Sequence, residues 1–372
     1  MNAPETGTAP VALKTRRLHH VLLAAALIAT VAIPFLLGGR HTLSAAASIA
    51  LGGYAGLLSL MLASWIARAL KIHLLLHRLK TPTTFRHSLA ISLATDLAFA
   101  ATPAGVGGYV ASIYYFRQAG ASMSGAATIM AMDQGIDLVF FAISVPLAAL
   151  ALVGSGLSPA VIATAWTGAA LTTALLTTIW LGRRRISSFL HAPNRLSARW
   201  PRVREAQRTL RSFVASLSAH ISLIVSAGPR FLSWMLALTA LQWLARYAVL
   251  WLTLLLLGHA ISFALAFLLQ VVVLHAALWT GIPAGGGGAE LGLTATLAPW
   301  VTPAETATAL IVWRAATLYT SLLAGAAAIF VLARRARRVV PASVTAPGET
   351  EAVDAKIDDG KRKSTVDYLA SL

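Results

Sequence analysis

Long apolar runs, separated by short basic segments, dominate the chain from residue 21 to residue 332. The first, Val21 to Leu37, follows a polar stretch carrying Lys14, Arg16 and Arg17. No clear small-residue cleavage site follows and the whole chain stays apolar, so it reads as a retained span and not as a signal peptide. Five further runs lie at about Leu43–Leu70, Ser124–Val153, Pro159–Leu181, Phe231–Leu257 and Thr306–Leu332. A bilayer core needs ~20 mostly apolar helical residues, so the pattern predicts six full spans. Two shorter apolar pieces, His87–Ala101 and Ile261–Thr280, end instead in Pro/Gly breaks. These are Thr102-Pro103-Ala104-Gly105-Val106-Gly107-Gly108 and Gly281-Ile282-Pro283-Ala284-Gly285-Gly286-Gly287-Gly288-Ala289-Glu290. A moderately apolar segment, Phe213–Ala227, is expected on the membrane surface.

The polar segments set the orientation. Lys and Arg beside spans resist translocation and stay in the cytoplasm. The basic flanks at 14–17, 71–86 (Lys71, Arg78, Lys80, Arg86), 183–211 and 334–338 are therefore expected inside. The links at 154–158 and 258–262 contain no Lys or Arg and are expected outside. One topology satisfies all of these only if each broken segment returns to the side it entered from, the first from the cytoplasm and the second from outside. The domain division is then a cytoplasmic N-terminal segment (1–19), a transmembrane domain (20–338) and a disordered cytoplasmic tail (339–372).

Composition narrows the class further. Hydrophobic residues are 57% of 372, charged residues only 12%, and mean hydropathy is +0.73. Soluble domains carry about 25% charged residues. With no cysteine, disulfides, thiolate metal sites and cysteine nucleophiles are excluded. The net charge of +17 includes nine arginines and one glutamate between Arg183 and Arg211. That stretch has few interleaved aromatics, Phe189 and Trp200, and joins two spans, so it suits anionic headgroups better than nucleic acid.

The chain also repeats itself. Trp65-Ile66-Ala67-Arg68 matches Trp243-Leu244-Ala245-Arg246, 178 residues on, and the Pro103 break matches the Pro283 break, 180 residues on. The loop after the first Trp-x-Ala-Arg helix is basic and the loop after the second is not, so the halves are expected upside down relative to each other. The boundaries fall at about 43–153 and 231–333, linked by the basic loop 183–211. Transporters with inverted repeats bring paired broken segments together near the midplane to form the substrate site. Freed backbone groups are tolerated in hydrocarbon only where they line a cavity or meet a ligand, and Gly-rich turns also make anion-binding nests. Close helix packing is the alternative role for these glycines.

Charges inside apolar segments each cost ~2.5–3.5 kcal/mol on insertion scales. Arg246 and Arg314 lie well inside spans, and Asp133 and Asp137 share a helix face. The two carboxylates are expected to pair with Arg246 or Arg314, or one of them to stay protonated. Two readings follow: ion pairs that only tie helices together, or arginines that grip a lipid phosphate while the carboxylates hold an amine or relay a proton. Glu290 and Asp96 sit beside the breaks. Arg68 is read as snorkelling near a helix end, and His275 as a packing histidine.

Pro103-x-Gly105-x-Gly107 followed by Asp133-x-x-x-Asp137, and Pro283-x-Gly285-x-Gly287-x-x-Glu290 followed by Arg314, resemble the lysylphosphatidylglycerol synthase transmembrane region. That is the flippase-type membrane body of the multiple peptide resistance factor and its stand-alone relatives. The similarity covers nearly all of residues 15–335. The family pattern in the first half reads Glu-Arg-x-x-Asp, whereas here Gln134 follows Asp133, which shifts the weight of phosphate binding to Arg314. Only 34 residues follow residue 338, too few for the family's soluble aminoacyl-transferring domain. The resemblance thus implies lipid handling and not aminoacyl-lipid synthesis.

The resulting expectation is an all-α polytopic membrane protein with an inverted internal repeat and two re-entrant segments. It is expected to act as a lipid translocator in the bacterial inner membrane, with both termini cytoplasmic. The candidate headgroup site comprises Arg314, Arg246, Glu290, Asp133, Asp137, Pro103, Gly105, Gly107, Pro283, Gly285 and Gly287. The ligand is an anionic phospholipid or a lipid-linked sugar, with no metal, no cofactor and no catalytic residue. The alternatives are a membrane-embedded transferase and a non-transporting accessory subunit. Against the first, GxxxxGK[ST] is absent. For the second, the Arg-rich loop and polar tail would dock an enzyme partner; a homo-oligomer stays open.

Overall fold

The structure, a computed structural model, describes residues 9–152 and 201–339, with isolated positions between 163 and 178. The expected N-terminal segment up to residue 8, most of the Pro159–Leu181 span, the basic residues 183–200 and the tail from residue 340 lie outside the described residues. The described chain is helical throughout, and five helices are long and apolar enough to cross a membrane.

The first half contains α1 (Ala9–Gly38), α2 (His41–Ala47), α3 (Leu51–Arg78), α4 (Phe85–Ala101), α5 (Val106–Gln118) and α6 (Met123–Ala151). After the gap come α7 (Pro201–Val225), α8 (Pro229–Leu256), α9 (Phe263–Trp279), α10 (Gly288–Leu297), α11 (Pro303–Arg314) and α12 (Thr320–Val339). The arginines from 202 to 211 and the apolar stretch expected from Phe213 belong to one helix, α7, which packs on α6. The basic loop is therefore shorter than its sequence suggests.

Local chemistry sets the boundaries. Thr84 and Ser262 begin α4 and α9 by accepting the N–H of His87 (3.3 Å) and Leu265 (3.2 Å), which satisfies donors that a helix start leaves free. Proline forces the preceding residue out of helix, so Thr102 and Ile282 are extended and α4 and α9 stop before the breaks. Each break is a short 3-10 turn, Pro103–Gly105 or Pro283–Gly285. Its alanine adopts a left-handed conformation, φ 50° at Ala104 and 53° at Ala284. This conformation costs a non-glycine residue about 1–2 kcal/mol, yet both turns have it at the same place.

The repeat extends to whole elements. Helices α3 and α8 are both 28 residues long, α4 and α9 both 17, and each pair starts 178 residues apart (229 − 51 and 263 − 85). Helices α3 and α8 form the most extensive helix pair among the described residues. Gly53 lies against Leu256 and Arg78 against Phe231, so the two equivalent helices run antiparallel. Arg335 lies 3.3 Å from His87, which puts the basic C-terminal flank and the start of α4 at one end of the bundle. At the start of α11, Glu305 lies 3.4 Å from His259, in the uncharged link that leads into α9.

Two apolar cores fill the bundle. One holds Leu57 and Met61 of α3, Phe140 of α6 and Leu250 of α8. The other holds Ile72 and Leu75 of α3, Ile129 of α6 and Met235 of α8. On these three helices Arg68, Lys71, Asp133, Asp137 and Arg246 fall between the two sets.

Candidate functional site

Arg68 is the eighteenth of the 28 residues of α3, ten before its end at Arg78. At 1.5 Å per residue this is ~15 Å from the terminus, beyond snorkelling reach. Its side chain is buried and ion-paired with Asp96 of α4, and it lies 3.6 Å from Asp133 of α6. Lys71, expected in a cytoplasmic loop, is instead fully buried one turn further along α3. Its Nζ lies 2.8 Å from Asp133 and 2.6 Å from Asp137, and donates to Thr239 of α8 at 3.1 Å. Asp133 and Asp137 therefore pair with neither Arg246 nor Arg314. The reason is register: residues three apart on α3 and four apart on α6 each form one face, and the two faces meet.

Arg246 donates to Asp96 at 2.8 Å, so that carboxylate is held between two guanidinium groups. Arg314 reaches Glu290 of α10 at 2.5 Å and the carbonyl of Ala284 at 3.3 Å. Glu290 is completely buried, and its other oxygen accepts the N–H of Gly287 at 2.8 Å. Immediately after Arg314 the helix widens into a π turn, Ala315–Tyr319, before continuing as α12. Such turns concentrate at functional sites. Arg68, Lys71, Arg246 and Arg314 thus face Asp96, Asp133, Asp137 and Glu290, and the layer carries no formal net charge.

Above this layer opens a cavity of about 330 Å³. Of the expected site residues, Arg246, Arg314, Asp137 and Gly285 line it. Asp133 and Glu290 stand behind the wall as ion-pair partners. Pro103, Gly105, Gly107, Pro283 and Gly287 are off the wall; the two turns touch each other and support it. The glycines of the first turn allow close packing: a Cβ on Gly107 would lie 2.4 Å from Thr102, and one on Gly108 2.1 Å from Phe99. At the second turn, the protein's own Glu290 takes the Gly287 N–H. At the first turn, the Gly107 N–H likewise goes to the Thr102 hydroxyl at 2.9 Å, so these two donors are taken by the protein's own side chains.

The sequence reading missed several wall residues: Arg68, Gln134, Gln242, Trp243, Tyr247, Gln270 and Trp313. His275, expected only to pack, also lines the cavity, and its ring bonds the Val271 carbonyl at 2.7 Å. Gln242 and Gln270 did carry a signal, being amides in apolar helices. Several residues that line the wall carry a buried polar atom without a partner among the described residues: the Arg246 Nε, an Arg314 amino group, the Trp243 Nε1 and the side-chain oxygens of Gln242 and Gln270. For Gln270 the orientation is fixed, because its amide donates to Tyr247 (2.9 Å) and Ala266 (3.0 Å) carbonyls. Buried polar atoms without partners are uncommon and expensive, and here they share one wall.

A family model for the lysylphosphatidylglycerol synthase TM region matches residues 21–325. The chain belongs to this family. Comparison with curated proteins finds no match. The match to the lysylphosphatidylglycerol synthase TM region spans α1 through the first residues of α12, so it contains both turns and every charged residue of the layer. At the position where the resemblance implies an arginine, Gln134 lines the cavity, and Arg68 and Lys71 supply the cations beside Asp133 instead.

Proposed function

We propose that this membrane protein binds a lipid headgroup in the cavity between its two halves and carries it across the bilayer without chemical change. The observation that supports this most is the set of guanidinium N–H groups left without partners on the wall of a charge-neutral layer. An arginine fork matches phosphate oxygens, and an isolated charge inside a membrane is a functional candidate by default. The antiparallel α3 and α8, and the matched turns meeting at the cavity, support an inverted repeat of the alternating-access type. The family's name adds a link to lysylphosphatidylglycerol. In this reading the protein sits in the bacterial cytoplasmic membrane with both termini inside.

Arg246 offers the cleanest test. Its removal leaves Asp96 still paired with Arg68, whereas removing Arg314 would strand Glu290 in the interior. Purified protein in liposomes should speed the loss of outer-leaflet fluorescent phospholipid relative to empty liposomes. Arg246→Gln should slow this roughly ten- to hundredfold, since a hydrogen bond to a charged group is worth about 1.5–3 kcal/mol. Equal rates for protein and empty liposomes, with lipid still bound, would favour the accessory-subunit reading.

A further inference from the structure

We infer that Asp137 is a proton-binding site coupled to the headgroup: an anionic headgroup enters the cavity together with one proton, which settles on the free carboxylate oxygen of Asp137. This rests on the lipid-binding reading above and adds a coupling ion to it.

The layer shares its cations unequally. Asp133 and Asp137 have one lysine between them, and only Asp133 also has Arg68 within ion-pair distance. One oxygen of Asp137 accepts from the Lys71 Nζ at 2.6 Å, and the other has no hydrogen-bond or ion-pair partner among the described residues. The Asp137 side chain is 13% exposed and lines the cavity. The remaining carboxylates are committed: Asp96 lies between Arg68 and Arg246, Asp133 beside Lys71 and Arg68, and Glu290 between Arg314 and the Gly287 N–H. Around Asp137 stand Lys71 and Arg68 of α3, Asp133 of its own helix, and Arg246 and Tyr247 of α8. His275 of α9 lies on the same cavity wall. Among the described residues, α5 and α7, which also pack on α6, place no charge beside it.

Charge balance sets what must accompany a ligand. The empty layer is neutral, four cations facing four carboxylates. The natural seat for a phosphodiester monoanion is Arg246, whose side chain is the most exposed of the four cations at 28%. Seated there, the anion leaves the layer one negative charge over, and an unbalanced charge inside a membrane is expensive. A proton on Asp137 cancels it at the carboxylate with an oxygen to spare. It also turns that oxygen from an acceptor, which would repel phosphate, into an O–H donor toward it. A hard metal cation would need several oxygens around it, whereas a proton needs one. The proton comes from water, and no other bond forms or breaks. The loaded cavity then carries no net charge, so the crossing is indifferent to membrane potential and a pH gradient can drive it.

The test measures binding of radiolabelled phosphatidylglycerol to the purified full chain in detergent, with proton uptake followed by a pH-sensitive dye in weak buffer. The bound form carries one proton more than the free form, so acid strengthens binding. Affinity should rise by up to about tenfold for each unit that pH falls, with about one proton taken up per lipid bound. Asp137→Asn leaves Lys71 paired with Asp133, and should bind with neither the slope nor the uptake. His275→Gln should keep both. Phosphatidylethanolamine brings its own ammonium, so its binding should take up no proton. The inference falls if wild type shows no slope, if the slope survives Asp137→Asn or vanishes with His275→Gln, or if both lipids take up protons equally. Each of these results, with binding still weakened by Arg246→Gln, leaves lipid binding intact. Binding that is equal in wild type and Arg246→Gln at every pH would overturn the inference together with the reading it rests on.

Discussion

Lys71 and Arg246 are both cations in the buried layer, yet the structure assigns them different costs of removal. Among the described residues, Lys71 is the sole cation within ion-pair distance of Asp137 and the nearer of two to Asp133. Truncating one partner of a buried pair costs about 3–5 kcal/mol because the other charge is stranded. Lys71→Met should therefore lower the thermal midpoint in detergent sharply, and Lys71→Met with Asp137→Asn should recover much of the loss. Arg246→Gln should shift it little, since Asp96 keeps Arg68. If Lys71→Met melts like wild type, the ion pairs do not hold the helices. This layer was only partly legible in the sequence. Asp133, Asp137, Arg246 and Arg314 stood out as charges in apolar runs. Lys71 was hidden because its run continues into genuinely basic residues, and Arg68 because helix length, which decides what can snorkel, was misjudged. Pairing depends on which faces meet, and a linear pattern does not contain that.

Among the elements, the two breaks were the most readable, because proline and glycine impose backbone geometry locally. Their matching left-handed alanines and the π turn after Arg314 were not, since both depend on surrounding packing. Nor did the sequence indicate what the first span does. Helix α1 falls outside the repeat, yet it lies directly on the second turn: a Cβ on Gly286 would be 2.6 Å from the Ala26 carbonyl oxygen. Thr30 of α1, almost wholly buried, also bonds the hydroxyl of Tyr319 in the π turn at 2.6 Å. Helix α1 is thus braced against the backbone that carries Arg314. Gly286→Val should push it away, at a cost of about 1–3 kcal/mol for an overfilled contact. Hydrogen exchange should rise through α1 and the π turn while α3 and α8 keep their protection. Gly52→Val, where an added Cβ meets nothing within 4 Å, should change none of this.

At the scale of the whole molecule, the transport proposed above requires the halves to be set oppositely across the membrane. Helices α3 and α8 run antiparallel, Arg335 meets His87 at one end, and Glu305 meets His259 at the other. With the positive-inside rule, this arrangement predicts that α4 enters from the cytoplasm and α9 from the opposite side. The chain has no cysteine, so a single introduced thiol reports its own position without background. Arg86→Cys and Ala260→Cys both replace exposed residues, Arg86 in the first turn of α4 and Ala260 on the link leading into α9. A membrane-impermeant maleimide applied to intact cells with a permeable outer envelope should label Ala260→Cys fully. It should label Arg86→Cys only after the inner membrane is opened. The reverse pattern would keep the inverted halves but turn the protein over in the membrane. Labelling of both from one side would place the two entry points together, and alternating access between opposed halves would lose its geometric basis.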